Sequence, residues 1–199
     1  MNKQFLKWLQ IILLFPLPIL LIYFNLIPYA FRWGAVAVVL ISILAILFHE
    51  KIHIKDIGLR VDNLLKALPF YGATLFSAIL GLAIVTQFLN LSFFPGYTSY
   101  YHFYGLFILV AFAEAFLYLG FLLPRLENLT SKPWLAILIT SIIFALMHSI
   151  YPSLLFVILT FFFGLLISTA YHFRPNLILA TIIFAAGNFM AVLYGFGMA

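Results

Sequence analysis

Residues 107–123 read FILVAFAEAFLYLGFLL, with Glu114 as the only charge in the run. A stretch this apolar, continuous with similar residues on its N-terminal side, has the length of a helix that crosses a bilayer, which takes about 20 residues. It lacks the period-two alternation of a barrel strand. The rest of the chain has the same character. Of 199 residues, 66% are hydrophobic and 8% are charged, and the mean hydropathy is +1.21. A soluble domain is about half apolar and a quarter charged. The composition therefore excludes an ordinary cytosolic enzyme, a disordered chain and a nucleic-acid-binding module, because too few polar residues exist to cover the surface. It predicts an all-α, polytopic bundle of transmembrane helices, with the lipid bilayer as its first partner and no nucleic acid as a ligand.

Pro, Gly and polar clusters divide the chain into about seven expected spans: 5–27, 33–49, 67–91, 103–123, 133–150, 153–172 and 176–197. They leave room only for short loops, so residues 1–199 read as a single transmembrane domain. Lys3 and Lys7 before the first apolar run resemble the start of a signal peptide. No small-residue cleavage site follows, and Pro16 and Pro18 interrupt the run, so a retained first span is expected. The chain has no cysteine, which excludes disulfides and zinc–thiolate sites.

The basic residues test this layout. Lys3, Lys7, Lys51, Lys55, Arg60, Lys66, Arg125, Lys132 and Arg174 all fall on one side of a seven-span arrangement, and only Arg32 falls on the other. Positive charge collects on the cytoplasmic side, so the N-terminus is expected in the cytoplasm. The net charge of +5 thus reports topology. The one long charged segment is 49–66, HEKIHIKDIGLRVDNLLK, expected as a solvated basic loop, with a short interfacial amphipathic helix as the alternative. The implied location is an integral, multi-pass position in a prokaryotic plasma membrane.

Three polar residues sit deep in the apolar runs. Glu114 lies ten residues before Pro124, about 15 Å along a helix. His148 lies in SIIFALMHSIYP (141–152), and Asn188 in LILATIIFAAGNFMAVL (177–193). Ionisable groups at such depth face the bundle interior, and an amide there needs interhelical partners. Tyr118, four residues after Glu114, stands within hydrogen-bonding range on a regular helix. The other histidines, His49, His53, His102 and His172, fall near span ends or in loops. His49 and His53 have the i, i+4 spacing of metal ligands on a helix but lack a third ligand.

In these segments the sequence resembles the CAAX-protease and bacteriocin-processing (CPBP, or Abi) family of intramembrane endopeptidases. The family's first motif is Glu-Glu-x-x-x-Arg-Gly, followed by an apolar stretch ending in Pro-Arg-Leu. EAFLYLGFLLPRL (114–126) follows it, with Glu114, Gly120, Pro124, Arg125 and Leu126 in register. The second motif, Phe-x-x-x-His, is matched by Phe144–His148. The third, a Phe-Gly helix, a basic turn with Asn-Leu and then His-x-x-x-Asn, is followed by residues 161–189, with Gly164, Asn176 and Asn188 in register. The family-like core runs from about 105 to 195, after N-terminal spans in 1–100. The upstream IKDIGLR (54–60) is similar to a loop found before that core.

The resemblance implies Glu114 as the base that activates water, His148 as its partner and Asn188 as an oxyanion donor. Three positions depart from the pattern. Ala115 stands for the second glutamate, Leu119 for the arginine, and Phe184 for the second histidine. Glu114 and His148 alone fall one short of the three protein ligands of a catalytic zinc, so no metal and no other cofactor is expected. Two readings remain open. One is an altered, non-catalytic site that binds a peptide or membrane-protein partner, as in bacteriocin processing or immunity. The other is an active, metal-independent glutamate-type peptidase.

Overall fold

The computed structural model describes residues 3–93, 104–151 and 153–196, and every regular element among them is helical. The elements are α1 (Lys3–Leu14), α2 (Pro16–Tyr23), α3 (Arg32–His49), α4 (Leu64–Phe88), α5 (Tyr104–Glu114), a π-helical run (Ala115–Leu122), α6 (Leu123–Thr130), α7 (Pro133–Met147), α8 (Leu154–Phe173) and α9 (Leu177–Leu193). Short 3₁₀ turns at Tyr29–Phe31 and His148–Ile150 precede α3 and follow α7. The result is a polytopic helical bundle. Six segments are long and apolar enough to cross a membrane: Lys3–Tyr23, Tyr29–His49, Leu64–Phe88, Phe107–Thr130, Pro133–Ile150 and Leu154–Phe173, with Leu177–Leu193 as a shorter apolar helix. The expected limits at 103 and 197 lie outside the described residues, as does His102.

Two boundaries differ from the sequence expectation for a shared reason. Proline has no N–H to donate. In the first span the helix breaks at Phe15, and Pro16 starts α2 anew. In the fourth span Pro124 does not end the helix, which runs on to Thr130. The preceding turns have widened to i→i+5 bonding, a π-helical arrangement, and Pro124 falls in the first turn of α6. Ser131, in the left-handed conformation (φ 54°), then terminates α6.

The fourth span is the axis of the bundle. Within its spanning window 61% of residues are enclosed, against 11–17% in the three N-terminal spans, which turn most of their side chains outward. All eight residues of the π-helical run are buried. α5 packs most closely on α9, and α7 on α8. Gly164 makes the α7–α8 approach possible, since a Cβ there would meet the Ser141 backbone at 3.2 Å. Small residues serve this purpose where lipid supplies no hydrophobic drive between helices.

Contacts also sort the loops into two ends. At one end Arg125 pairs with Glu50, and His172 Nδ1 lies 2.6 Å from Glu127 Oε1. The segment 57–63 docks on the α8–α9 turn there as well. Tyr171 donates its hydroxyl to the Ile57 carbonyl (2.6 Å), the Leu177 N–H donates to the Gly58 carbonyl (2.7 Å), and Asn63 Nδ2 donates to the Pro175 carbonyl (3.0 Å). Asn176 donates to the Arg60 carbonyl (3.0 Å) and to Asn63 Oδ1 (2.7 Å), and its Oδ1 caps α9 by accepting from the Leu179 N–H (2.9 Å). At the opposite end Phe93 meets Tyr194, with ring centroids 5.3 Å apart, and Tyr29 and Arg32 lie in electrostatic reach of Tyr151.

The second, fourth and sixth connections thus share one end, as they do when successive helical segments alternate in direction through the bundle. Residues 50–63 are not helical and 49–56 are exposed, while 57–63 form a docked strap, because they spend their backbone carbonyls on the α8–α9 turn. His49 ends α3 and His53 lies in the irregular segment beyond, so the helical i, i+4 spacing is not realised. Asp62 in this strap is exposed, and its hydrogen bond to Arg60 holds its carboxyl down at about 2.

Candidate site around Glu114

Glu114 is the last residue of α5, at the start of the π-helical run. Asn188, in the C-terminal half of α9, donates from Nδ2 to Glu114 Oε2 at 2.8 Å. The close α5–α9 packing brings these residues together across 74 positions of sequence. The acid and the amide are each other's interhelical partner, as groups at this depth require.

His148 lies at the C-terminal end of α7 and is buried. Its Nδ1 is 2.9 Å from the Phe144 carbonyl one turn back. A carbonyl only accepts, so Nδ1 carries the proton, and Nε2 of the neutral ring is left as an acceptor. Phe144 (4.7 Å) and Phe156 (5.1 Å) stand edge-on to the ring. Among the described residues no hydrogen bond joins His148 to Glu114. His148 and Asn188 do share a cavity of about 240 Å³ between α4, α7, α8 and α9, whose other walls include Phe144, Phe163, Ile183 and Gly187. Glu114 does not line it, so Asn188 stands between the cavity and the carboxylate.

The three positions that depart from the resemblance are packed with apolar atoms. Ala115 and Leu119 are fully buried, and Phe184 is 1% exposed. The Phe184 ring is perpendicular to both Phe144 (5.4 Å) and Phe163 (5.5 Å), an edge-to-face arrangement that fixes all three rings. Tyr118 donates its hydroxyl to Met147 Sδ at 2.9 Å rather than to Glu114. The widened turn of the π-helical run takes it off the i, i+4 row on which a regular helix would place it.

Among the described residues no three His, Cys, Asp or Glu side chains come together. His172 is committed to Glu127.

Neither Tyr29 nor Tyr151 stands out in the sequence, and Arg32 does so only through the charge pattern. Tyr151, in the turn after α7, lies in electrostatic reach of Tyr29, Glu114 and Arg32. Burial, above all, pushes its phenol up to about 12, so it stays a donor at neutral pH. The available signal was Arg32 itself, the one basic residue on the wrong side of the charge pattern.

Residues 96–190 match the family model described as Rce1-like, type II CAAX prenyl endopeptidase Rce1-like. No curated protein and no solved structure matches the chain. The matched region holds the fourth to sixth spans and most of α9, and with them Glu114, His148 and Asn188 in the order that the family motifs require. The similarity covers just under half of the chain, and it points to the same CAAX-type membrane endopeptidases that the motifs resemble.

Proposed function

We propose that this chain binds a peptide or a segment of a membrane protein at the Glu114 site without cleaving it. The observation that supports this most is Phe184, wedged edge-on between Phe144 and Phe163 where the family pattern has a polar group. Hydrolysis needs a base in reach of water and donors aimed at the oxyanion. Here the base is bonded to Asn188, and His148 is held by its own helix and boxed by phenyl rings. The arginine position is a buried leucine. The cavity beside them is lined mainly by apolar side chains, with Ser77, His148, Thr160 and Asn188 as its polar residues, a surface suited to an apolar segment entering from the bilayer. By the distribution of Lys and Arg, the strap end of the bundle is cytoplasmic and the Tyr151 end faces outward.

A second reading, a metal-independent peptidase, has one specific observation in its favour. Asn188 carries two amide hydrogens and spends one on Glu114, leaving one for an oxyanion.

Peptidase assays on the purified chain separate the two readings. With prenylated and leader peptides, wild type and Glu114→Ala are expected to show the same background. A variant with Ala115→Glu, Leu119→Arg and Phe184→His is expected to gain turnover that Glu114→Ala then removes. Robust turnover by the unaltered chain, lost in Glu114→Ala, would overturn the binding reading in favour of the peptidase.

A further inference from the structure

Among the described residues Arg32 is a cation without an acid. Its Nη1 donates to the Tyr29 carbonyl at 3.2 Å, and its Cζ lies 3.9 Å from the centre of the Tyr29 ring. Its Nε is buried and has no hydrogen-bond partner among the described residues. All five Asp and Glu residues of the chain are described, and each is engaged elsewhere. Glu50 pairs with Arg125, Asp62 with Arg60, and Glu127 with His172. Asp56 accepts from the His53 N–H, and Glu114 from Asn188. A guanidinium is always charged, and its N–H groups match a carboxylate in geometry. Keeping one half-buried with an unused N–H is costly unless an anion arrives from outside the chain.

Tyr151 gives that anion a place relative to the site. Its hydroxyl lies in electrostatic reach of Tyr29, Arg32 and Glu114. Its ring is 6.3 Å from that of His148. Tyr151 thus links the Arg32–Tyr29 pair to His148 and Glu114.

We propose that Arg32, with the hydroxyls of Tyr29 and Tyr151, forms a subsite for a carboxylate of a bound peptide, next to Glu114. The inference rests on the peptide-binding reading above. A lipid phosphate offers similar anionic chemistry at the bilayer surface. The connection through Tyr151 to Glu114 favours a ligand that continues into the site, as a peptide does.

The test uses the full chain in phosphatidylcholine nanodiscs and three fluorescent apolar hexapeptides. One has a free C-terminal carboxylate, one a C-terminal amide, and one a C-terminal amide with an internal glutamate. At least one carboxylate-bearing peptide is expected to bind about tenfold more tightly than the plain amide, the scale of one charge-assisted contact. Arg32→Gln is expected to reduce that peptide to the affinity of the amide while leaving the amide unchanged. Arg32→Lys keeps part of the preference, and Tyr151→Phe lowers it in a chain that retains its cation.

Preference for the free acid assigns the chain terminus, and preference for the internal glutamate assigns a side chain; both support the subsite. Equal affinity for all three peptides, failure of wild type to bind either acid, or a preference that survives Arg32→Gln overturns it. Nanodiscs containing phosphatidylglycerol distinguish the lipid. An unchanged preference supports the peptide, and its abolition makes lipid phosphate the occupant and overturns the proposal. Glu114-dependent cleavage of a probe would end the non-catalytic reading while leaving the acid-over-amide ratio measurable. Equal affinities would end the subsite and leave that reading standing.

Discussion

The Asn188 amide donates to the Glu114 carboxylate at 2.8 Å and so ties α9 to α5 inside the bundle. The bond makes two otherwise costly groups tolerable at this depth. Interhelical hydrogen bonds in membranes contribute about 0.6 kcal/mol on average, whereas a buried polar group left unpaired costs about 1–3 kcal/mol. Asn188→Leu should therefore lower the thermal midpoint in detergent more than Glu114→Gln, which still presents a carbonyl oxygen to Asn188. The double variant Glu114→Leu, Asn188→Leu should lose less than the sum of its single changes. Additive losses would mean that the two side chains are not coupled.

Gly58 and Tyr171 make the strap prediction. Gly58 has φ +77°, a conformation that only glycine adopts freely, and the Tyr171 side chain occupies the space that a Cβ would take. Gly58→Ala should release the strap, because it meets both the backbone penalty and the tyrosine. Tyr171→Phe removes only the 2.6 Å bond to Ile57, a loss of about 1 kcal/mol. Limited trypsin digestion reads the difference. Cleavage after Lys55 and Arg60 should be fast in Gly58→Ala, intermediate in Tyr171→Phe and slow in wild type. Equal rates in all three would show that the strap is not held by this contact.

The contrast between these two features shows what was legible in the sequence. Glu114, His148 and Asn188 stood out because each is a polar interruption in a long apolar run, and the structure joins Glu114 to Asn188. It leaves His148 on the cavity side. The strap was not legible because it docks through the backbone carbonyls of Ile57, Gly58 and Arg60, which no side-chain pattern advertises. Asn176 was noted as a motif residue, but its role as cap and clasp needs its partners to be known. The π-helical run was hidden because a run of apolar residues fits i→i+4 and i→i+5 bonding equally well. Tyr29 and Tyr151 read as ordinary aromatic residues at span ends.

The chain has no cysteine, which gives the topology a direct test. Lys55→Cys and Lys132→Cys lie at the strap end, and Leu26→Cys and Ser92→Cys in the connections of the other end. With the basic end in the cytoplasm, a membrane-impermeant maleimide should label the Leu26→Cys and Ser92→Cys variants in intact cells. The Lys55→Cys and Lys132→Cys variants should stay unlabelled until the cells are permeabilised. The opposite pattern would invert the orientation, and a mixed pattern would break the seven-crossing arrangement.

The π-helical run sets the register between two fixed points. Glu114, before it, is bonded to Asn188, and Arg125, after it, is paired with Glu50 and lies 4.4 Å over the Phe121 ring. Bonding to i+5 takes up one more residue than bonding to i+4 over the same rise. Deleting Leu117 removes that extra residue, so the run should return to a regular helix with both anchors still in register. Asn188→Leu, or separately Glu50→Gln, added to the deletion should then lower the thermal midpoint as much as it does in the undeleted chain, because both contacts are kept. If either added change causes no further drop, the deletion has already broken that contact, and the π-helical run does not take up one residue between the anchors.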